Sequence, residues 1–185
     1  MDKAAKQAEK ERLGLTKSEW VYRGRIIQLR VDTLFSTVKR ECVTHPGAVA
    51  VLPIDHKGNL ILIKQWRHAI QRIFIEIPAG VLEPDEDPND CAQRELQEEI
   101  GFKAKTMLPI GGVYTSAGFC DEYIHLYLAK NLEKSELPPD EHEAIDLYPL
   151  SLDDALKQIE DNTISDAKTI VAILRYKKWK EEKKF

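Results

Sequence analysis

The chain has 185 residues, 43% hydrophobic and 31% charged, which is enough for one well-buried core with a small annex and unlike a disordered or fibrous composition. A formal net charge of −4 leaves no basic excess to neutralise a nucleic-acid backbone, and no run approaches the roughly 18 apolar residues of a membrane span, so neither a nucleic acid nor a membrane is an expected partner. Cys42, Cys91 and Cys120 are odd in number and lack metal-ligand spacing, which argues against a disulfide framework or a zinc site; with no apolar leader, the expected location is the cytoplasm.

Residues 2–12, DKAAKQAEKER, are rich in helix formers but almost wholly polar, which reads as a frayed surface helix or a disordered arm. From Trp20 the pattern turns to extended segments at 20–22, 25–31 and 33–43, a small antiparallel sheet with too few apolar residues to stand alone. After the turn His45-Pro46-Gly47, the runs AVAVLPID and LILIKQW, joined by a turn at residues 56–59, read as a hairpin of two largely buried strands. Residues 73–77 continue as a further strand.

Residues 80–102, GVLEPDEDPNDCAQRELQEEIGF, hold the densest chemistry. Asp87 suits an N-cap, Pro88 the first helical position and Gly101 the residue after the helix, which predicts a helix over 88–100. At 100° per residue Ala92, Leu96 and Ile100 make a narrow apolar stripe, with Glu95, Glu98 and Glu99 along its flank. Those acids are badly placed for stability. Glu95 and Glu99 repel at i,i+4 and the helix dipole disfavours anions in the last turns, each effect costing about 0.2–1 kcal/mol. A hard divalent ion such as magnesium or manganese would convert that repulsion into binding energy. The plainer alternative is a solvated acidic face.

Further strands are expected at 107–114 and 123–129, and helices at 151–161 with Ser151 as cap and from 166 onward with Ser165 as cap. Between them residues 132–144, LEKSELPPDEHEA, are polar and proline-interrupted and read as a long loop. Strands flanked by helices place the chain in the α/β class, with a layered α/β/α sandwich as the natural architecture.

The stretch 80–102 resembles, at every fixed position, the signature of the Nudix hydrolase family: Gly80, five residues, Glu86, seven residues, then Arg94-Glu95-Leu96-x-Glu98-Glu99-x-Gly101-Phe102. The resemblance implies a Nudix α/β/α sandwich with a mixed central sheet over residues 46–185, preceded by a small antiparallel sheet within residues 1–45 that is exchanged across a homodimer. It also implies metal-assisted hydrolysis of a phosphoanhydride, with Mg2+ or Mn2+ as cofactor. Glu95 and Glu99 are the implied principal metal ligands, Glu98 a further one, and the Ala79 carbonyl completes the set while Arg94 orients the acids.

The substrate branch lies outside that stretch. Ser116-Ala117-Gly118 resembles a Ser-Pro-Gly triplet of the ADP-ribose and nucleotide-sugar pyrophosphatases, with Ala117 in place of the proline. Glu141-His142-Glu143 resembles their Glu-x-Glu element, which makes Glu141 the implied general base and Glu143 another metal ligand. Arg40 and Arg67 fall where the family places phosphate-contacting arginines, Phe35 is expected against a base and Glu76 against the nucleoside. Asp166-Ala167-Lys168 resembles an Asp-x-Lys feature of nucleotide-sugar hydrolases and adds Asp166 and Lys168 to the expected substrate contacts. The expected substrate is a small nucleoside diphosphate sugar, of the ADP-ribose, ADP-sugar or GDP-mannose type, cleaved to a nucleoside monophosphate and a sugar phosphate. A strict ADP-ribose pyrophosphatase and a non-hydrolytic nucleotide-sugar sensor of the same fold stand as alternatives.

Overall fold

The computed structural model describes residues 2–138 and 144–182. Its elements run α1 (Lys3–Gly14), β1 (Leu15–Arg23), β2 (Gln28–Leu34), β3 (Val38–Thr44), β4 (Ala48–Pro53), β5 (Leu60–Arg67), β6 (Arg72–Glu76), β7 (Ala79–Val81), α2 (Pro88–Glu99), β8 (Phe102–Tyr114), β9 (Tyr123–Lys134), β10 (Ile145–Leu150), α3 (Leu152–Glu160) and α4 (Ala167–Glu181). They fall into two units, Met1–Pro46 with Tyr114–Glu122, and Gly47–Val113 with Tyr123–Phe185. Among the described residues no helix is long and apolar enough to cross a membrane.

In the larger unit, β4 is buried at all six positions because both of its edges and both of its faces are covered. It pairs antiparallel with β7 and parallel with β9, giving a mixed sheet of order β7-β4-β9-β8. A parallel pairing needs cover on both faces, and alternation along β4 decides what supplies it. Ala48, Ala50 and Leu52 enter one core with Leu126, Leu128, Ala155 of α3 and Ala172 and Ile173 of α4. Val49 and Val51 enter the other with Cys91, Ala92 and Leu96 of α2. Helices therefore lie on opposite faces of the sheet, which is the expected α/β/α sandwich with a mixed central sheet.

β5 divides its apolar residues in the same way, Leu60 and Leu62 to the first core and Ile61 and Ile63 to the second. It does not form the expected hairpin with β4. A single bridge, Ile54 to Leu60, links the two among the described residues, and β5 is the middle strand of a separate sheet, β10-β5-β6. The reason is edge availability: β7 and β9 already occupy both edges of β4, and an apolar run records burial without naming its partner.

Two other expectations are corrected, and one strand was not foreseen. The single strand expected over 33–43 is broken by a turn at Phe35 and Ser36, whose φ angles of 52° and 62° reverse the chain so that Leu34 faces Val38. β10 follows the polar loop unannounced; Pro149 is tolerated there because β10 is an edge strand. The cap of α4 is Asp166, which accepts from the Thr169 amide at 3.0 Å, whereas the Ser165 hydroxyl accepts from Arg72 at 2.8 Å.

The smaller unit holds the antiparallel sheet β1-β2-β3, the expected annex. The polar N-terminal stretch forms α1, capped by Asp2 on the Ala5 amide at 2.7 Å. Residues 114–122 are stitched to β3, with the Val43 amide donating to the Phe119 carbonyl at 2.7 Å and the Asp121 amide to the Val43 carbonyl at 3.1 Å.

Leu96 has no exposed surface and anchors α2 in its core. Leu96→Ala is expected to lower stability by about 2–5 kcal/mol. Asp87→Ala, which removes the α2 cap on the Asn89 amide, is expected to cost about 1 kcal/mol. Urea midpoints at unchanged m-value check both the sizes and their order.

Candidate active site

The packing of α2 places its acids. Pro88 starts the helix behind the Asp87 cap and Gly101, at φ +74°, follows its end. Ala92, Leu96 and Ile100 face the core, so Glu95 and Glu99, each one residue earlier, are caught at the edge of that packing and are only 7% and 9% exposed. Glu98, on the far side of the same flank, keeps a side chain 29% exposed.

Arg94 gathers the acids. Its guanidinium grips Glu86 with two nitrogens, Nε at 2.9 Å and Nη2 at 3.0 Å, while Nη1 contacts Glu95 at 2.5 Å and Glu98 at 3.0 Å. Glu86 also accepts from the Glu83 amide at 3.0 Å. The arginine, foremost, pushes the Glu86 pKa down to about 2; burial opposes it, and the Glu83 amide adds to the lowering. The same hydrogen bonds raise the pKa of Arg94 further. Burial pushes the Cys91 thiol upward, which leaves it a packing group with no nucleophilic character at neutral pH.

The backbone at the start of β7 meets the other two carboxylates. The Ala79 amide donates to Glu99 Oε2 at 3.0 Å. Glu95 lies directly on Gly80: a Cβ there would sit 1.9 Å from Glu95 Oε1. Glycine is required at position 80 for that approach.

This donor set fits a hard divalent cation in charge and chemistry. Glu86, Glu95 and Glu98 set three carboxylates around the Arg94 guanidinium, and every donor is oxygen. Among the described residues, however, no three acidic, histidine or cysteine groups are already gathered on one point as ligands. The carboxylates are instead distributed around Arg94.

A second charged group stands at the end of β6. Glu76 is 1% exposed and is held by Arg67 through Nε at 2.7 Å and Nη2 at 2.8 Å, and by Lys168 at 2.5 Å. Burial opposes its ionisation, but the Arg67 hydrogen bond and the Lys168 charge outweigh it and the pKa is lowered. Lys168 also pairs with Asp166 at 3.1 Å. Four residues expected separately at a substrate site, Arg67, Glu76, Asp166 and Lys168, thus belong to one network.

The remaining expected residues are dispersed. Arg40 is on β3 of the smaller unit, paired with Glu11 of α1 at 3.1 Å. Phe35 is in the turn before β3, its amide bonded to the Gly14 carbonyl at 2.7 Å. Ala117 is in a turn closed by the Ser116 carbonyl on the Phe119 and Cys120 amides. Glu141 and Glu143 lie outside the described residues.

Two features were not read from the sequence. The clamp of Glu86 on Arg94 was signalled only by Glu86 being a fixed position of the motif. Gln65 is 6% exposed, and its Oε1 has no hydrogen-bond partner among the described residues. Its sole signal was a neutral polar residue between Lys64 and Trp66 on that strand.

Because the folded pKa of Glu86 lies below its ordinary value, its pairing stabilises the fold above pH 4.5 and that contribution is lost as pH falls toward about 2. Glu86→Gln lacks this titration. The stability gap between parent and variant should be full at neutral pH and narrow across that window, as read from urea midpoints in an acid series.

Comparison with known proteins agrees with this geometry. The NUDIX domain matches residues 44–172. A methanol dehydrogenase activator of Bacillus methanolicus is 44% identical over 163 residues, covering 85% of this chain and 88% of its own length. An ADP-ribose pyrophosphatase of Bacillus subtilis (strain 168) is likewise 44% identical over 163 residues, covering 84% and 87%. A solved structure described as an ADP compounds hydrolase superposes with a TM-score of 0.79 over 91% of this chain and 94% of that one; at 22% identity it speaks to the fold alone. The matched residues run from the end of β3 into the first turns of α4 and include the whole acidic helix, and this chain belongs to the NUDIX domain family.

Proposed function

We propose that the chain hydrolyses the pyrophosphate bond of nucleoside diphosphate sugars, releasing a nucleoside monophosphate and a sugar phosphate. The observation that carries this reading is the pair of buried carboxylates one turn apart on α2, Glu95 against Gly80 and Glu99 on the Ala79 amide, beside the carboxylates of Glu86 and Glu98 gathered on Arg94. Glu95, Glu98 and Glu99, the Ala79 carbonyl and Glu143 are the proposed ligands of magnesium or manganese. When bound, such an ion neutralises phosphate oxygens and makes water a better nucleophile. Glu141 is the proposed general base.

The protein's own residues then have separable tasks. Arg94 holds Glu86, Glu95 and Glu98 in register, and Gly80 leaves room for Glu95. Arg67 is the proposed diphosphate contact, because a planar guanidinium bonds two oxygens of one phosphate at once. Its fork is already oriented by Glu76. Arg40 is proposed as a second phosphate contact, and Glu76, Asp166 and Lys168 as the group that shapes the substrate end of β6. The Bacillus subtilis relative, named an ADP-ribose pyrophosphatase, supports a nucleoside diphosphate sugar as the substrate class.

A homodimer built by exchange of the smaller unit is part of the proposal. Every residue of β1 is exposed, including Trp20 at 40%, Val21 at 58% and Tyr22 at 55%, and Ile26 beside it is 51% exposed. An apolar patch of that kind calls for cover by another chain. A second reading of the function comes from the Bacillus methanolicus relative, named an activator, in which the chain acts upon a dehydrogenase. Turnover of methanol dehydrogenase with and without this chain separates the two.

Incubation with ADP-ribose, ADP-glucose or GDP-mannose and magnesium should yield nucleoside monophosphate from at least one; no such product from any of them defeats the proposal. Glu99→Gln should lower that turnover by about 10²-fold or more while the melting temperature stays within a few degrees. Light scattering should give twice the 21.2 kDa chain mass; a monomer would overturn the exchanged dimer.

A further inference from the structure

We propose that Lys168 is a positioning residue for Arg67, acting through the buried carboxylate of Glu76, so that the first turn of α4 sets the direction of the diphosphate contact. The inference rests on the reading of Arg67 as that contact.

Glu76 and Ile63 are register partners, and Arg67 is four residues beyond Ile63 on β5, about 13 Å further along the strand. The guanidinium nevertheless meets both oxygens of Glu76, so the arginine lies back along its own strand toward that carboxylate. Where Arg67 aims therefore depends on how the Glu76 carboxylate is turned. Lys168 is what turns it. Its ammonium donates to Oε2, the same oxygen that accepts from Arg67 Nη2, and so fixes the carboxylate plane in which the fork docks.

Lys168 is itself held by a closed circuit. Its ammonium pairs with Asp166 Oδ2. That oxygen also accepts the Thr169 hydroxyl at 2.5 Å and the Thr169 amide at 3.0 Å, which is the cap of α4. The Thr169 hydroxyl in turn accepts from the amide of Ile77, the neighbour of Glu76, at 2.9 Å. The circuit runs from Glu76 through Lys168, Asp166 and Thr169 back to the backbone beside Glu76. Within it the side chains of Glu76, Lys168 and Asp166 are 1%, 12% and 13% exposed, and Thr169 is fully buried. Arg67, at 38%, is the member that faces outward.

Two physical points account for a lysine at this place. A cation in the first turn of a helix opposes the helix dipole, so Lys168 sits where helix formation alone disfavours it. A carboxylate as buried as Glu76 also needs a full set of donors, and a bidentate arginine leaves room on Oε2 for one more, which Lys168 supplies. With Glu76 and Asp166 each matched by one cation, the circuit is neutral, in contrast to the acidic cluster around Arg94.

The test is a double-mutant cycle of Lys168→Met and Arg67→Ala, read as KM and kcat for ADP-ribose with magnesium, with melting temperatures recorded for each variant. Arg67→Ala should raise KM about tenfold or more, and Lys168→Met should raise it by a comparable factor while kcat changes less than about twofold. In the Arg67→Ala background Lys168→Met should add less than about twofold, since its effect passes through the missing fork. The same factor in both backgrounds, or no effect in either, overturns the positioning role while the Arg67 reading stands. An unchanged KM in Arg67→Ala removes the Arg67 reading itself. Should Lys168→Met fail to fold, Lys168→Gln, which keeps a donor without the charge, enters the same cycle under the same criteria.

Discussion

Carboxylates held at the edge of an apolar contact are the constraint on which this molecule turns. α2 can pack only by the stripe of Ala92, Leu96 and Ile100, and a stripe that narrow buries its neighbours Glu95 and Glu99 at its margin. Buried anions of like charge must be compensated. What surrounds them follows from that need: the clamp of Arg94 on Glu86, the bare backbone of Gly80 beneath Glu95, and the Ala79 amide on Glu99.

A second arginine and carboxylate pair, Arg67 with Glu76, solves the same problem differently. There Lys168 completes the charge, and the group is neutral and locked to the cap of α4. The two clusters are joined by a short piece of backbone. Glu76 ends β6 and Ala79 begins β7, so only two residues, Ile77 and Pro78, separate the neutral cluster from the acidic one, a span of at most about 10 Å. In the proposed reaction that segment ties Glu76, the partner of the arginine on β5 proposed to grip the diphosphate, to the Ala79 end of the cation cluster.

The acidic helix was legible because its signals are local. Asp87, Pro88 and Gly101 delimit it, and a 3.6-residue period sorts its faces without knowledge of any other segment. The hairpin expected of β4 and β5 failed for the opposite reason: pairing is a choice among distant strands, and both segments read only as apolar. Arg67, Glu76, Asp166 and Lys168 could each be singled out, but their union could not, since nearly a hundred residues lie between Glu76 and Lys168. Gln65 was invisible because a polar residue beside Lys64 near a strand end has the same pattern whether its oxygen is solvated or buried.

The sequence by itself determined the α/β class, the acidic helix with its boundaries, and the chemistry of hard oxygen donors, all of which depend on residue type and short-range spacing. Only the tertiary structure decided which edges β4 and β5 use, that Glu95 and Glu99 are buried, and that Arg94 gathers the remaining acids. It alone closed the circuit from Glu76 through Lys168 to the cap of α4. These are outcomes of packing, in which burial converts ordinary surface charges into groups that must find partners wherever the fold brings them.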